Sequence, residues 1–334
     1  MSAEETVLEV KDLTVSFYTK AGKLTAVSGV SFDLHAGETL AIVGESGCGK
    51  SVTSLAIMRL LDPKTSEIAP ESSIRLKGKE ITRCSNKQMS ELRGNEISMV
   101  FQDSLTSLNP TLTIMSQMVE PFMRHQGMKR KEAEQHAVEM LRKVGIPNPE
   151  VRAKQYPHEL SGGMRQRVII AMALSCKPAV LICDEPTTAL DVTIQAQVLR
   201  MINELKQNLD TAVIFITHDM GVVAEMADRV MVMYGGNCVE ESDCYSLFTN
   251  PLHVYTKGLL ASIPKINDDR RLYTIEGTVP SLKDMPKGCR FCGRCSQYMD
   301  RCRTENPPFF QVGQQRVRCF LYEQAAAGQK GGAI

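Results

Sequence analysis

The chain has 334 residues, 43% of them hydrophobic and 23% charged, which suits a globular protein with one large core and an appendage, or two ordinary domains. Its formal net charge of +1 excludes nucleic-acid binding through a strong basic excess. The acidic start MSAEE is unlike a secretory signal and the apolar runs are too short to cross a bilayer, so we expect a cytosolic protein whose membrane role comes through partners.

The first forty residues have the pattern of short strands. Apolar residues alternate over residues 13–17 and 26–34, with a turn at residues 21–23, which predicts an antiparallel β layer. Residues 39–43 then predict a buried strand that leads into a glycine-rich loop, and residues 52–61 have the apolar spacing of a helix.

The glycine-rich loop matches the phosphate-loop pattern G-x-x-x-x-G-K-[ST] in its usual strand–loop–helix setting. In such a loop the backbone N–H groups surround the phosphates, Lys50 reaches the β- and γ-phosphates, and Ser51 offers its hydroxyl to Mg²⁺. We therefore predict that ATP is bound by Gly44, Glu45, Ser46, Gly47, Cys48, Gly49, Lys50 and Ser51.

Residues from about 105 to 165 predict an all-helical insertion. Methionine, valine and phenylalanine recur at helical spacing between residues 115 and 123, and residues 131–144 predict a second amphipathic helix. Pro147 ends the second helix, because proline cannot continue the backbone hydrogen-bond ladder.

Strands and helices alternate after this insertion. We predict a helix at residues 164–175, strands at 180–183, 212–217 and 229–234, and a helix at 194–209. This order is typical of a mostly parallel sheet covered by helices. The predicted fold class is therefore α/β, with a phosphate-loop core sheet, an antiparallel β subdomain and the helical insertion.

Two carboxylates, Asp184 and Glu185, end the strand at residues 180–183. Asp184 is placed to hold Mg²⁺ through its water shell, and Glu185 is placed to polarise the attacking water as general base or orienter. Two acids at a strand end would ordinarily be solvated, but the upstream phosphate loop favours the catalytic interpretation.

The run LSGGMRQR at residues 160–167 resembles the signature of ATP-binding-cassette (ABC) ATPases, and the resemblance extends over residues 7–265. It implies that Ser161, Gly162 and Gly163 cover the γ-phosphate of ATP held by a facing subunit. A serine hydroxyl and unhindered amides at a helix N-terminus form an anion site, which gives this role a physical basis. The same residues also fit an N-capped helix after a Gly-Gly turn.

The remaining motifs of this family are assigned by their order along the chain. Gln102 resembles the Q-loop glutamine that touches Mg²⁺ or water, and His218 resembles the switch histidine that contacts the γ-phosphate. Residues 188–191 resemble the D-loop at the dimer seam. Phe17 matches the aromatic residue that stacks on adenine, although the adjacent Tyr18 could take that part.

Within the family, the closest resemblance is to the ATPases of oligopeptide and dipeptide importers. It is carried by segments at residues 43–47, 105–110, 156–160, 184–196 and 251–260. Met164 is similar to one of two ATPase types that usually pair as a heterodimer, while Ser104 and Val254 stand where proline is usual. The resemblance implies a second ATPase subunit, two transmembrane permease subunits and an extracytoplasmic solute-binding protein, at the cytoplasmic face of the membrane.

Five of the eleven cysteines lie in the C-terminal part of the chain. Cys289, Cys295, Cys302 and Cys319 resemble the arrangement that holds a four-iron, four-sulfur (4Fe-4S) cluster in these importers. Soft thiolates suit iron–sulfur clusters or zinc, Cys292 could compete as a ligand, and free thiols are a third alternative.

The predicted domains are a nucleotide-binding domain at residues 1–265, a small cysteine-rich extension at 266–324 and a disordered tail at 325–334. We expect an ATPase that powers peptide import. The alternatives are a related importer of nickel or another small solute, a soluble ABC protein of translation or repair, and a regulatory iron–sulfur protein with structural ATP. Selectivity for the cargo would reside in the binding protein and the permeases.

Overall fold

The computed structural model describes residues 5–20, 22–103, 107–188, 190–264 and 273–325. The chain forms two compact units, each assembled from separate segments. The first unit contains the described residues of Met1–Leu8, Asp33–Thr39 and Arg75–Phe215, and the second those of Glu9–Phe32, Leu40–Ile74 and Ile216–Ile334.

The strands, in chain order, are β1 Thr6–Thr19, β2 Gly22–His35, β3 Thr39–Val43, β4 Ser66–Ile68, β5 Ser73–Leu76, β6 Lys79–Glu80, β7 Ile97–Val100, β8 Val180–Asp184, β9 Ala212–Ile216, β10 Arg229–Tyr234, β11 Asn237–Asp243, β12 Phe310–Val312 and β13 Gln315–Val317. The α-helices are α1 Lys50–Ile57, α2 Asn86–Leu92, α3 Ile114–His125, α4 Arg130–Lys143, α5 Pro149–Arg152, α6 Gly162–Leu174, α7 Val192–Leu209, α8 Met220–Met226, α9 Cys244–Thr249 and α10 Val254–Ala261. Short 3₁₀ turns occur at Pro157–Glu159, Cys292–Arg294, Asp300–Arg303 and Phe320–Tyr322.

The second unit contains an antiparallel β layer and a mixed sheet. Strand β4 pairs antiparallel with β1, with Phe17 opposite Ser66. In the mixed sheet β3 and β10 are parallel, whereas β10, β11, β13 and β12 pair antiparallel in that order. The strands β3 and β10 are almost entirely buried and consist mainly of β-branched, leucine, alanine and methionine residues, as expected for strands covered on both faces.

The first unit combines parallel strands with the helical segment. Strands β7 and β8 are parallel, and β9 lies next to β8. Helices α3, α4 and α6 pack against one another, and their buried face includes Ile114, Met118, Phe122 and Leu141. Thr113 caps α3 by accepting the N–H of Ser116, which explains why this helix begins where it does. The predicted α/β class with an antiparallel layer is confirmed by these elements.

Some predicted boundaries were wrong for local reasons. Helix α6 begins at Gly162, before the predicted start at residue 164, because the Ser161 hydroxyl accepts the N–H of Met164 and caps the helix. The two glycines therefore belong to the helix itself and do not form a turn before it. Helix α1 spans Lys50–Ile57, whereas the predicted range was 52–61, because the chain turns into the helix at Gly49, where φ is 102°.

Seven observed strands, β4 to β7 and β11 to β13, were not predicted. Strand β11 carries two buried carboxylates, Glu240 and Glu241, which remove the apolar pattern by which strands are recognised. Both carboxylates are paired: Glu240 accepts the N–H groups of Leu252 and His253, and Glu241 binds the guanidinium groups of Arg229 and Arg316. Pairing of this kind is what allows charged groups to be buried.

Parts of several predicted features lie outside the described residues. These are Ala21 of the turn at 21–23, Ser104, residues 105 and 106 of the segment at 105–110, Ala189 of the segment at 188–191, the domain boundary at 265/266, and residues 326–334 of the predicted tail. The helices of the described ranges include none with enough consecutive apolar length to cross a membrane.

Candidate functional site

The phosphate loop follows β3 and leads directly into α1. Gly44 has φ of 149°, and a Cβ atom at this position would lie 2.2 Å from the backbone oxygen of Met233. Only glycine permits this close approach of the loop to the end of β10. The sequence pattern and the strand–loop–helix geometry therefore coincide, and the loop amides precede a helix N-terminus that favours anions.

The ammonium group of Lys50 is held against the loop. Its side chain is buried, and Nζ donates hydrogen bonds to the backbone oxygens of Gly44 at 2.7 Å and Glu45 at 3.2 Å. The Sγ atom of Cys48 lies 3.8 Å from the same Nζ. Burial raises the pKa of the Cys48 thiol, so this side chain is a neutral filler of the loop.

Glu45 makes two contacts that sequence analysis did not predict. Its backbone N–H donates to the Tyr255 hydroxyl at 2.9 Å, and its carboxylate accepts two hydrogen bonds from the Arg294 guanidinium, at 2.8 and 3.3 Å. Both partners lie in segments that the sequence distinguishes, although the sequence does not predict their contacts with Glu45. Tyr255 lies in the segment at 251–260 that resembles peptide importers, and Arg294 lies between two of the clustered cysteines.

The two aromatic candidates for adenine stacking differ in their surroundings. Tyr18 is exposed, and its hydroxyl donates to the carboxylate of Glu67, which also binds Lys23 at 2.7 Å. Phe17 is half-buried on β1. The Tyr18 side chain is thus held by Glu67, and the stacking role of Phe17 stays a prediction.

His218 lies in the loop between β9 and α8 and is exposed. The following residue, Asp219, caps α8 by accepting the N–H groups of Gly221 and Val222, and its own N–H donates to the Thr217 hydroxyl. These bonds fix the backbone on both sides of His218 and leave the imidazole at the surface of the second unit. Its contact with a γ-phosphate stays a prediction.

The carboxylates of the first unit lie where the buried strand β8 ends. Asp184 is the last residue of β8 and is buried. Glu185 follows with φ of 47°, a left-handed conformation that costs a non-glycine residue about 1–3 kcal/mol and occurs preferentially at functional sites. The amide of Gln102 donates to the Glu185 carboxylate at 2.9 Å, and the Thr188 hydroxyl donates to it at 3.0 Å. The structure thus brings together Gln102 and Glu185, which are 83 positions apart.

The signature segment also lies in the first unit, at the beginning of α6. Ser161 is the exposed N-cap, and Gly162 and Gly163 are the first helical residues. A Cβ atom on Gly162 would have no heavy-atom neighbour within 4 Å, whereas one on Gly163 would lie 2.7 Å from Cγ2 of Ile194. The open side of this helix end is therefore at Gly162, and Gly163 is required by packing against α7.

The clustered cysteines lie in the second unit and are neighbours. The N–H of Cys289 donates to the backbone oxygen of Cys302 at 2.8 Å, and that of Cys292 to the oxygen of Cys289 at 3.0 Å. Burial raises the pKa of the Cys289 thiol to about 12, and negative charge on Cys302, Cys292 or Cys319 would raise it further. Burial likewise raises the pKa of Cys295 and of Cys319.

These thiols do not form a ligand set in the structure. Among the described residues, no group of three or more histidine, cysteine, aspartate or glutamate side chains is arranged to hold a metal ion. Thiols with raised pKa values are predominantly protonated at neutral pH and would have to lose protons to become ligands. The iron–sulfur cluster or zinc ion predicted for Cys289, Cys295, Cys302 and Cys319 is therefore not supported by this geometry.

Two family models match the chain. One, described as ABC transporter, matches residues 27–188, and the other, described as oligopeptide/dipeptide transporter, C-terminal region, matches residues 239–302. The second match includes Tyr255, which binds the backbone N–H of Glu45, and Arg294, which binds its carboxylate.

Three similar proteins come from Bacillus subtilis (strain 168). The chain is 52% identical to the oligopeptide transport ATP-binding protein AppD, over 97% of this chain and 99% of that protein. It is 51% identical to the dipeptide transport ATP-binding protein DppD, over 96% of each. It is also 51% identical to the oligopeptide transport ATP-binding protein OppD, over 92% of this chain and 86% of that one.

Solved structures are similar over the greater part of the chain. The dimeric structure of a post-hydrolysis state of the ATP-binding cassette MJ0796, bound to ADP and Pi, has a TM-score of 0.63 at 26% identity, covering 71% of this chain and 98% of that one. The structure of cbiO1 from Clostridium perfringens, part of the ABC transporter complex cbiONQ, has a TM-score of 0.62 at 27% identity, covering 74% and 92%.

Proposed function

Because this chain belongs to the ABC transporter family, together with oligopeptide and dipeptide transport ATP-binding proteins, we propose that it hydrolyses ATP to power peptide import through partner permease subunits. Its fold is an ABC ATPase cassette with mixed α and β content, and membership of the family makes it an ATPase. The observation that carries the catalytic proposal is the hydrogen bond from Gln102 to Glu185.

In this proposal each polar group acts on one part of the substrate. Lys50 binds the β- and γ-phosphates, and the hydroxyl of Ser51 and the carboxylate of Asp184 are hard oxygen donors of the kind that suits Mg²⁺. When bound, Mg²⁺ neutralises charge that develops between the β- and γ-phosphates. Glu185 polarises the attacking water, and Gln102 orients the Glu185 carboxylate.

The test of the catalytic assignment is Glu185→Gln. The amide keeps the size and the polar contacts of the side chain but cannot accept a proton, so we expect nucleotide affinity within about twofold of wild type and turnover at least about 100-fold slower. Affinity is measured with a fluorescent ATP analogue, and turnover by phosphate release from the assembled transporter. Wild-type turnover in this variant would remove Glu185 from the mechanism.

The same proposal includes a second ATPase subunit. Ser161 and Gly162 would cover the γ-phosphate held by the facing subunit, and the dimeric form of the MJ0796 cassette supports such an arrangement. We propose that the partner is a different ATPase chain, and that both dock on two permease subunits at the cytoplasmic face of the membrane. An extracytoplasmic binding protein would deliver the cargo. We favour peptides over nickel complexes as the cargo, because the similar proteins are named as oligopeptide and dipeptide transport proteins.

The cysteine group is the basis of a second proposal, metal binding by Cys289, Cys295, Cys302 and Cys319. Its support is that backbone hydrogen bonds bring Cys289 next to both Cys302 and Cys292. Iron, sulfide and zinc would be measured in protein purified without oxygen. Iron with matching sulfide indicates a cluster, zinc alone indicates a structural ion, and protein purified without oxygen that contains neither iron nor zinc contradicts the proposal.

A further inference from the structure

The cysteine-bearing segment contacts the phosphate loop through a partly buried ion pair. The Arg294 side chain is 7% exposed and that of Glu45 is 28% exposed. The guanidinium donates to both carboxylate oxygens, a two-point geometry that fixes the orientation of the carboxylate as well as its distance. Glu45 belongs to the phosphate loop itself, so this contact acts on the nucleotide-binding backbone.

Arg294 is itself fixed on the side away from the loop. It donates from Nε to the backbone oxygen of Glu276 at 2.9 Å and from Nη2 to that of Ile275 at 3.2 Å. Its guanidinium also lies 5.7 Å from the centre of the Tyr234 ring. With its remaining donors engaged, the side chain has little freedom to leave Glu45.

From Glu45 the contacts continue to the residue that binds phosphates. The backbone oxygen of Glu45 accepts a hydrogen bond from Lys50 Nζ at 3.2 Å, while its N–H is held by the Tyr255 hydroxyl. The position of Glu45 therefore helps to set the position of the Lys50 ammonium group. A displacement of Glu45 would move the loop carbonyl and the ammonium together.

A second contact supports the loop at Cys48. The Arg290 guanidinium donates to the backbone oxygen of Gly235, and the N–H of the next residue, Gly236, donates to the backbone oxygen of Cys48 at 2.9 Å. Between the two arginines, Phe291 is 2% exposed and packs edge-on against Tyr234, with ring centres 5.0 Å apart. Residues 290–294 thus support the loop at two points, directly at Glu45 and through Gly235 and Gly236 at Cys48.

We propose that Arg294 is a positioning residue of the nucleotide site, which acts through Glu45 to hold the phosphate loop and Lys50 in the conformation that receives ATP. The cysteine-bearing segment then contributes to the affinity of the phosphate loop for ATP. This inference rests on the proposed function, because it concerns the affinity of the same loop for ATP. It does not depend on whether the cysteines hold a metal.

The experiment measures ATP affinity of the full chain, with a fluorescent ATP analogue, in Arg294→Gln, Glu45→Gln and the double variant. We expect each single variant to bind about tenfold more weakly, within the range found for residues that act through a neighbour. The double variant should be no weaker than either single variant, because both remove the same interaction. Arg294→Lys should restore part of the affinity, since it keeps the charge but loses the two-point geometry.

Two controls separate positioning from folding. Arg301→Gln removes another arginine of the C-terminal segment, one that binds Glu323 at 2.6 Å, and should leave ATP affinity unchanged. Glu45→Gln leaves the bonds of Arg294 to Ile275 and Glu276 in place, so it tests the loop end of the contact even where Arg294→Gln fails to fold. In the assembled transporter Arg294→Gln should raise KM for ATP more than it lowers kcat.

The outcomes distinguish this inference from the proposed function. Wild-type affinity in Arg294→Gln, or additive losses in the double variant, would overturn the positioning role and leave the ATPase proposal intact. A wild-type chain that binds no ATP would overturn both.

Discussion

At the scale of single residues, the backbone of Glu185 shows how the structure positions a catalytic candidate. Its left-handed φ of 47° turns the chain immediately after the buried strand β8, and hydrogen bonds from Gln102 and Thr188 hold the carboxylate. A residue in a disfavoured conformation persists only when its surroundings fix it. The strand end and the two donors supply that constraint.

Two buried titratable residues, Glu240 and His253, meet at the beginning of α10. The Glu240 carboxylate accepts the N–H groups of Leu252 and His253, and Nδ1 of His253 accepts the N–H of Tyr255. Burial raises the pKa of Glu240. Burial, assisted by the positive charge of Lys257, lowers the pKa of His253 to about 4. Their contributions to stability therefore have opposite pH dependences.

The pKa of His253 predicts a loss of stability in acid. Because the histidine pKa is about 4 in the folded protein and has its ordinary value of 6.5 in the unfolded chain, its contribution is fully present above about pH 6.5 and is lost as pH falls toward 4. The free energy of unfolding should fall by up to about 1.4 kcal/mol per pH unit in that window. His253→Asn, which can still cap α10, should flatten this dependence in urea titrations.

The matched control for this prediction is His136→Asn, which removes a half-exposed imidazole from α4. It should leave the pH dependence of unfolding as in wild type. Glu240 is present in both variants and raises stability as pH falls, so the comparison between variants isolates the histidine. Equal slopes for wild type and His253→Asn would contradict the assignment.

At the scale of the elements, the start of α6 separates two functions of its glycines. Gly163 packs where a Cβ atom would meet Ile194 of α7 at 2.7 Å, whereas Gly162 faces open space. The helix has no acidic residue in its first turn, so its N-terminal amides are not neutralised within the helix. We therefore predict that Gly163 serves packing and that Gly162 serves anion binding.

Alanine substitutions should show this division of roles. Gly163→Ala should lower the free energy of unfolding by about 1–3 kcal/mol, because the methyl group overlaps Ile194. Gly162→Ala should leave thermal unfolding unchanged or slightly improved, since alanine favours the helix. If Gly162 covers the phosphate of a facing subunit, the same variant should slow ATP turnover of the assembled transporter about tenfold. Wild-type turnover in Gly162→Ala would contradict the role in trans.

At the scale of the whole molecule, the chain forms two compact units, and the predicted catalytic carboxylate and phosphate loop belong to different ones. Gln102, Asp184, Glu185 and the signature glycines lie in the first unit, whereas the phosphate loop, His218 and the clustered cysteines lie in the second. The residues predicted to act on ATP are thus distributed over both units, and the signature is predicted to act on the ATP of a facing subunit.

Because the signature is predicted to act on the ATP of a facing subunit, we expect the chain alone to be a poor ATPase. Purified alone, it should bind ATP but release phosphate at least about tenfold more slowly than when it is combined with its partner ATPase and permeases, because the signature is predicted to act in trans. Phosphate release and sedimentation would be measured on the same samples. Full turnover by a sedimenting monomer would contradict the proposed arrangement.

Features that depend on neighbouring residues could be predicted from the sequence. The phosphate loop and the buried strand before Asp184 follow from residue types over a few positions, because the backbone conformations they need are local. The order of the motifs, which resembles that of ABC ATPases, also predicted the cassette fold. The unpredicted strand β11 shows the limit, since its buried Glu240 and Glu241 depend on partners elsewhere in the chain.

The contacts between distant residues follow from the tertiary structure. Arg294 and Glu45 are 249 positions apart, and Gln102 and Glu185 are 83 apart, so neither pair leaves a pattern in the local sequence. The tertiary structure also showed that the clustered thiols are neighbours without forming a ligand set among the described residues. Such contacts depend on the whole fold, because two distant side chains meet only when the strands and loops to which they belong lie next to each other.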